Sequence, residues 1–229
     1  GVKRTTGKNV TPELNNKKGS SGEVSYYDQC GITWENLPGT LEEVREIGKI
    51  PSEKKDVLVI TGKDVSEATV KRYSHDGTLS KFRTVHFACH GYFDPERVAY
   101  SSVVLSEVSG RNKTGEDGYL SVPEVAALRF RADVVTLSAC ETGLGKFVRG
   151  DGVSGLARAF QEAGAARVNV TLWQVADEAT RRFMVEMYKK INNSNESFSK
   201  AMSDTKKEFI RSNEFNEPYF WSSFVLYGD

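Results

Sequence analysis

The chain has 229 residues, 31 of them basic and 31 acidic, so its formal net charge is zero. This length suits one large domain, and a hydrophobic content of 38% is enough to build its core. The balanced charge argues against a basic surface for nucleic acid, and no apolar run approaches the roughly 20 residues that span a bilayer.

The first 25 residues are rich in Lys, Asn, Gly, Ser and Thr and lack the apolar core of a signal peptide. We predict a flexible linker or loop over 1–25 and a single folded domain over 26–229. The chain has three cysteines and no CxxC pair. This sparse, odd set favours a reducing compartment, and hence the cytoplasm, over a disulfide scaffold, and it does not match a zinc site. We expect neither a metal nor a cofactor.

Helices and strands alternate along the folded domain. Helices are predicted over 37–50, 64–74, 121–130, 151–165, 177–191 and 196–212, with Thr40, Asp64 and Ser121 as the caps of the first three. Strands are predicted over 56–61, 83–91, 132–140, 167–175 and 219–228, and a hairpin or surface insertion over 100–108. This alternation predicts an α/β fold with a mostly parallel sheet and helices on both faces. Such sheets bind their ligands at the carboxyl ends of the strands.

Two of the predicted strands end in reactive side chains. The first ends at His90 and Gly91, and the second ends at Cys140. Neighbouring strands lie about 4.8 Å apart, so an imidazole and a thiol at adjacent strand ends approach hydrogen-bonding range. A free thiol has a pKa of about 8.5, and a nearby imidazole activates it as a nucleophile. The backbone amides of Gly91 and Cys140 could then form an oxyanion hole for acyl transfer.

Each of these residues also has a structural interpretation. A cysteine that ends an apolar strand is commonly a small buried hydrophobe, and a histidine before glycine is commonly structural. His86 and Cys89 are rival candidates for the two roles. His86 lies in the middle of the predicted strand and is expected in the core, and Cys89 faces away from His90 because side chains alternate along a strand. The pattern therefore favours His90 with Cys140.

Four motifs follow one another along the chain: HFACHG, LSACETGLG, RGDGVSGLARAFQEAGAARVNVTLWQVADEAT and a final PYFWSSFVLYG. Together they resemble the CHAT domain, a family of caspase-like cysteine peptidases related to separase, metacaspases, gingipains and caspases. The resemblance covers about Leu37 to Gly228. It implies a caspase-like three-layer sandwich with a sheet of about six strands. It also implies that His90 is the catalytic histidine and Cys140 the nucleophile.

The chain departs from this family at the front. The family usually places its first strand before the LPGT helix, whereas residues 23–36 are a poor strand candidate. Either the strand lies in this segment, or the chain is an excised or processed piece.

The resemblance also suggests which side chains line the substrate pocket. LWQVADEAT is similar to a separase stretch in which an acidic residue holds Arg or Lys, and this implies Asp177 as the specificity acid. Asp177 is equally suited to cap a helix, and Asp151 has the same two interpretations. Glu141 follows the nucleophile and is expected to tie down its loop. Some family members prefer apolar residues before the cut, so basic specificity remains one of two alternatives.

These observations favour a cysteine endopeptidase that cleaves a partner protein or itself. The Lys-rich segment over 3–19 is a candidate autoprocessing site if specificity is basic. The family implies prokaryotic immune or regulated-proteolysis signalling and activation by a sensor or regulatory module or protein. A catalytically silent interaction scaffold is the alternative, and an enzyme inactive until a ligand orders its loops is a third. We expect a protein substrate as partner, and neither nucleic acid nor membrane.

Overall fold

The computed structural model describes residues 26–29, 34, 36–50, 57–94, 96–106, 116–138, 151–194 and 197–228. The chain divides into two compact units, Gly1–Trp34 and Glu35–Asp229. In the first unit the described residues include a helical turn, α1 (Tyr26–Gln29), whose two tyrosine rings meet edge to face with centroids 5.5 Å apart. The predicted linker over 1–25 lies outside the described residues.

The second unit contains all the described strands and the remaining helices. The strands are β1 (Thr84–Phe87), β2 (His90–Tyr92), β3 (Ser102–Val104), β4 (Tyr119–Ser121), β5 (Val134–Leu137), β6 (Val168–Thr171) and β7 (Phe224–Tyr227). The helices are α2 (Pro38–Lys49), α3 (Glu67–His75), α4 (Val122–Ala126), α5 (Asp151–Glu162), α6 (Asp177–Ser194), α7 (Phe198–Arg211) and α8 (Pro218–Trp221). Single 3-10 turns occur at Gly62–Asp64, Leu79–Lys81 and Val98–Tyr100.

The strands form two sheets. The main sheet has the order β1-β5-β6-β7, in which the first three strands are parallel and β7 is antiparallel to β6. The second sheet, β2-β3-β4, is antiparallel. The α/β class with a mostly parallel sheet is confirmed. The six strands are not, because the main sheet has four among the described residues and the other three pair separately.

Helices cover both faces of the main sheet. On one face α5 packs over apolar strand residues, and Phe160 of α5 lies between Phe87 and Phe130 with ring centroids 5.6 and 5.7 Å away. On the other face α6 and α7 meet β7, where Phe183 stacks on Phe224 at 3.9 Å. Both faces are buried because parallel strands need apolar cover on each side. The result is a three-layer sandwich.

The face toward α6 carries an unusual polar row. His86, Thr136 and Asn169 are register partners on β1, β5 and β6, and their neighbours on the opposite face are apolar. Alternation along each strand puts all three side chains on one side of the sheet. Buried polar groups need partners, and α2 and α6 supply them for His86 and Thr136. Nδ2 of Asn169 donates to the sulfur of Met184 in α6, whereas its Oδ1 has no partner among the described residues. This row lies one step below the carboxyl edge of the sheet.

Several predicted elements differ in detail. The predicted strand over 56–61 is wrong, because residues 57–60 form no strand and Val57 is 54% exposed. A short apolar run does not form a strand unless a neighbouring strand pairs with it. The predicted strand over 83–91 splits, because His90 pairs with Val104 in the second sheet. The final segment begins as α8, since Pro218 suits the first turn of a helix, and only then becomes β7.

Two of the predicted caps are also displaced. Ser66 caps α3 in place of Asp64, and Thr40 lies inside the first turn of α2, where its hydroxyl donates to the Leu37 carbonyl. Ser121 precedes α4 as predicted and forms a capping box with Glu124. None of the described helices is both long and apolar enough to cross a membrane.

Candidate functional site

The carboxyl edge of the main sheet brings His90 to the end of β5. β1 and β5 are adjacent and parallel, Phe87 pairs with Leu137, and the Ser138 amide donates to the Phe87 carbonyl at 2.8 Å. Three residues after Phe87 the chain enters β2 at His90, which is only 8% exposed. Cys140 follows Ser138 by two positions but lies outside the described residues. The pairing of His90 with Cys140 therefore stays a prediction.

The other predicted site residues fall in different places. Gly91 is buried in β2 and pairs with Val103. Asp177 is the first residue of α6 and is exposed. Asp151 begins α5, but its side chain and all of Glu141 lie outside the described part of the chain. The oxyanion hole and the roles of both acids remain predictions.

A pocket opens beside His90, between the start of α2, the ends of β5 and β6 and the start of α6. It brings His90 together with Asp177, which the sequence had placed in the substrate pocket. Its lining residues are Leu37, Gly39, Thr40, Glu43, His90, Ser138, Thr171, Trp173, Gln174, Val175, Asp177 and Thr180. Two carboxylates and neither Lys nor Arg occur in this set, so the described lining is acidic.

Gly39 allows α2 to approach Asp177 closely. A Cβ atom placed on Gly39 would lie 2.6 Å from Oδ2 of Asp177, which is closer than real Cβ contacts. The glycine of LPGT is therefore needed for the present position of the carboxylate. Sequence analysis did not single it out, although a glycine in the first turn of a predicted helix is a local signal of close packing.

The pocket wall after β6 is attached to the C-terminal segment. The indole Nε1 of Trp173 donates to the Tyr219 carbonyl at 3.0 Å, and the Tyr219 hydroxyl donates to the Gln174 carbonyl. These bonds tie the loop over 172–176 to α8. The final PYFWSSF motif thus holds one side of the pocket.

Glu43 connects the pocket to the polar row beneath it. It lines the pocket yet is only 2% exposed, and its Oε1 lies 2.7 Å from Nε2 of His86. Nδ1 of His86 lies 3.1 Å from the Tyr188 hydroxyl, which donates to Oγ1 of Thr136 at 3.2 Å. Burial raises the pKa of the Tyr188 hydroxyl, so it remains a donor. His86 is partly buried, with 10% of its side chain exposed, so the predicted core position is confirmed only in part, and the residue belongs to a hydrogen-bonded network.

Sequence reasoning missed Glu43 because it stands between Leu41 and Val44, in a helix whose apolar stripe was assigned to every third residue. In the structure Glu43 is more buried than either of them. The sequence did carry a signal for a buried Glu–His pair, since it has an acidic residue within the apolar stripe of a helix and a histidine in the middle of a strand.

Cys89 is unsuited to nucleophilic chemistry. It is partly buried and packs against the main apolar core. Burial raises the pKa of its thiol to about 12, so the nucleophilic thiolate is scarce at neutral pH. This environment agrees with the prediction that Cys89 is not the catalytic residue.

A second acidic cluster lies outside the pocket, at the start of α3. Oxygens of Glu67, Glu116 and Glu124 lie within 4.8 Å of one another, a spacing that could hold a metal ion. The ammonium of Lys71 contacts all three carboxylates, at 2.6, 2.7 and 2.8 Å. Lys71 thereby supplies the positive charge that the cluster needs. We interpret it as a structural ion network that joins α3 to β4 and α4.

Comparison with known proteins identifies the family. The CHAT domain matches residues 10–229, nearly the whole chain. The chain belongs to the CHAT domain family. This is a family of caspase-like peptidases, which agrees with the α/β sandwich and its mostly parallel sheet. Membership relates the fold to proteases without showing that this member cleaves anything.

Two curated relatives share part of the CHAT domain. The chain is 32% identical over 109 residues to tetratricopeptide repeat protein 28 of Mus musculus, and 33% identical over 109 residues to that of Homo sapiens. Each match covers 48% of this chain and 4% of the relative. The chain thus corresponds to a small part of these proteins.

Proposed function

We propose that this CHAT domain is a cysteine endopeptidase with Cys140 as nucleophile and His90 as general base. The observation that supports it is the placement of His90 at the carboxyl edge beside the end of β5, which in the sequence comes three residues before Cys140. The acidic pocket at the same edge offers a place for a substrate side chain. Ligands of parallel α/β sheets occupy this position.

The proposed reaction has two halves. His90 takes the thiol proton of Cys140, and the thiolate adds to the scissile carbonyl, whose developing negative charge the amides of Gly91 and Cys140 stabilise. The tetrahedral intermediate collapses to a thioester as the protonated imidazole gives its proton to the departing amine. Water, deprotonated by His90, then cleaves the thioester and restores the thiol.

For the substrate we propose a dedicated partner protein or the chain itself, with Arg or Lys before the cut and Asp177 among the pocket residues. Asp151 and Glu141 keep their proposed places near the site. The setting we propose is prokaryotic immune or other regulated proteolysis in the cytoplasm, with a sensor or regulatory protein as activator.

A peptide library scanned at each position tests the proposal on the purified chain. We expect cleavage that falls by at least about 1,000-fold in Cys140→Ala and in His90→Ala, because both groups act in the bond-breaking steps. Cys89→Ala is the matched control and should keep its activity, since Cys89 has no role in the reaction. Unchanged cleavage in Cys140→Ala would exclude the mechanism.

Autoprocessing has a separate test. Mass spectrometry of the termini of the unmodified chain and of Cys140→Ala should show cleavage within residues 3–19 only in the former. A chain that cleaves no library peptide, does not process itself, and labels no faster than free cysteine with a thiol-reactive Lys or Arg peptide would instead favour the silent scaffold.

A further inference from the structure

Glu43 is a buried carboxylate that faces a pocket. It is 2% exposed and lines the pocket that also contains His90. A buried charge is costly unless it is paired and hydrogen-bonded. Only one of its two oxygens has a partner within the described part of the chain, and that partner is His86. Within the described part of the chain, the second oxygen is free to accept a hydrogen bond from a ligand.

The support behind Glu43 fixes its orientation. His86 is held from its other nitrogen by Tyr188, and Tyr188 is held by Thr136, which is fully buried in β5. A side chain locked by packing and hydrogen bonds is preorganised for binding, so little entropy is lost when a ligand arrives.

A second polar atom of the pocket also lacks a partner among the described residues. The Ser138 hydroxyl is buried, with Ser138 4% exposed, and its Oγ makes no hydrogen bond to any residue that the structure describes. Ser138 lines the same pocket as Glu43. The carboxylate oxygen of Glu43 accepts hydrogen bonds, and the hydroxyl oxygen of Ser138 can accept one as well. Because the carboxylate is also negatively charged, the complementary ligand group is a cation with several N–H donors.

Asp177 is less suited to set this preference. It is exposed at the start of α6, where water and salt screen its charge, whereas Glu43 is almost fully buried in the same pocket. An ion pair in the interior discriminates more strongly between a charged and a neutral ligand than one at the surface.

We propose that Glu43 is the specificity residue of this site and that its free carboxylate oxygen binds the Arg or Lys side chain that precedes the scissile bond. Ser138 accepts a further hydrogen bond from the same cationic group. His86, Tyr188 and Thr136 act as positioning residues behind Glu43. This assignment rests on the proposed endopeptidase and names the substrate contact that it would use.

A binding experiment tests Glu43 without requiring catalysis. Butylguanidine, which copies the arginine side chain, and butylurea, its neutral analogue of the same shape, are titrated into the Cys140→Ala chain by NMR. We expect butylguanidine to bind at least about tenfold more tightly, the effect of one hydrogen bond to a charged group. Glu43→Gln should remove this difference. Equal binding of the two compounds to the Cys140→Ala chain would overturn the proposal.

Two control variants test whether the preference for butylguanidine depends on Glu43 and not on another acidic residue. Glu67→Gln also removes a glutamate that is 2% exposed but lies outside the pocket, and it should keep the preference for butylguanidine. Asp177→Asn should weaken the preference less than Glu43→Gln does. If Asp177→Asn lost the preference for butylguanidine and Glu43→Gln kept it, Asp177 would be the specificity residue. If Glu67→Gln lost the preference as fully as Glu43→Gln, the effect would not be specific to the pocket.

The NMR resonances of the histidine rings test whether butylguanidine binds at Glu43 even if the Glu43→Gln variant fails to fold. The chain has three histidines, and His86 contacts Glu43 without lining the pocket. Butylguanidine bound to Glu43 should shift the His86 ring resonances, and butylurea should not. A shift confined to His90 would contradict the proposal.

Matched peptides link the pocket to the proposed reaction. Substrates with Arg or with citrulline before the cut should differ by at least about tenfold in kcat/KM for the unmodified chain. Cleavage of both at equal rates would keep the endopeptidase and remove the role of Glu43. Binding of butylguanidine without cleavage of any peptide would keep the pocket and remove the endopeptidase.

Discussion

Cys89 and Cys140 are the two cysteines that the sequence places near His90 and the end of β5. Cys89 precedes His90 directly, but it packs against the apolar core, and burial raises the pKa of its thiol to about 12. Cys140 follows a strand end, where the sequence predicts an accessible thiol. At the scale of single residues, burial argues against Cys89 as a nucleophile although it directly precedes His90.

Alkylation of the native chain checks this difference. Because burial raises the pKa of the Cys89 thiol to about 12, its thiolate is scarce at pH 7.5, and iodoacetamide should modify Cys89 much more slowly than Cys140. Mass spectrometry of the peptides measures both sites, and the chain unfolded in urea provides the control in which both react. Labelling of Cys89 in the native chain as fast as in the unfolded chain would contradict the assignment.

Element packing decides how the pocket is built. α2 brings Gly39 and Glu43 to one side, and α8 holds the loop over 172–176 on the other through Trp173 and Tyr219. Neither α2 nor α8 contributes to the sheet, yet both define what the sheet edge can bind. Binding sites on loops depend on such supports for their precision.

The Tyr219→Phe variant tests the support from α8. It removes the hydroxyl that donates to the Gln174 carbonyl, and because Tyr219 is 52% exposed, stability should change little. If the chain cleaves peptides, we expect KM to rise by about threefold to tenfold, the effect of one hydrogen bond, with kcat nearly constant. Tyr73→Phe, outside the pocket, should change neither. An unchanged KM in Tyr219→Phe would show that the loop holds its position without this bond.

At the scale of the whole molecule, the ion network around Lys71 joins α3, β4 and α4. Burial, followed by the hydrogen bond with Glu116, raises the pKa of Glu67 to about 8, while Lys71 lowers it. A carboxyl whose pKa rises on folding binds more protons in the folded chain than in the unfolded chain. Between about pH 4.5, its ordinary pKa, and about pH 8, the contribution of Glu67 to the free energy of unfolding therefore falls as the pH rises.

Glu67→Gln should reduce this pH dependence, because glutamine has no proton to lose. Relative to the unmodified chain, the variant should gain about 1 kcal/mol or more in free energy of unfolding between pH 5 and pH 8. Urea denaturation at four pH values measures the difference. Glu214→Gln, which removes only an exposed partner of Arg182, should show the same pH dependence as the unmodified chain. Parallel curves for Glu67→Gln and the unmodified chain would contradict the prediction.

Local patterns in the sequence were enough to predict most elements of this fold. α5, α6 and α7 follow from apolar residues repeating every three to four positions, and β5 and β6 from short apolar runs. Their alternation also predicted a strand that ends near His90, although in the structure β1 ends at Phe87 and His90 begins β2. The family motifs then indicated CHAT membership, since they are contiguous stretches that can be read without coordinates.

Strand pairing and the burial of polar residues were decided by the tertiary structure. Nothing near His90 in the sequence indicates that it leaves the main sheet for β3, because hydrogen-bond partners distant in the chain set that choice. Glu43 and His86 are 43 positions apart. Taken alone in the sequence, Glu43 resembles an exposed helix residue and His86 resembles a core residue of a strand. Their contact across two layers makes Glu43 a buried acid that faces a pocket, because burial and hydrogen bonding are properties of the packed molecule.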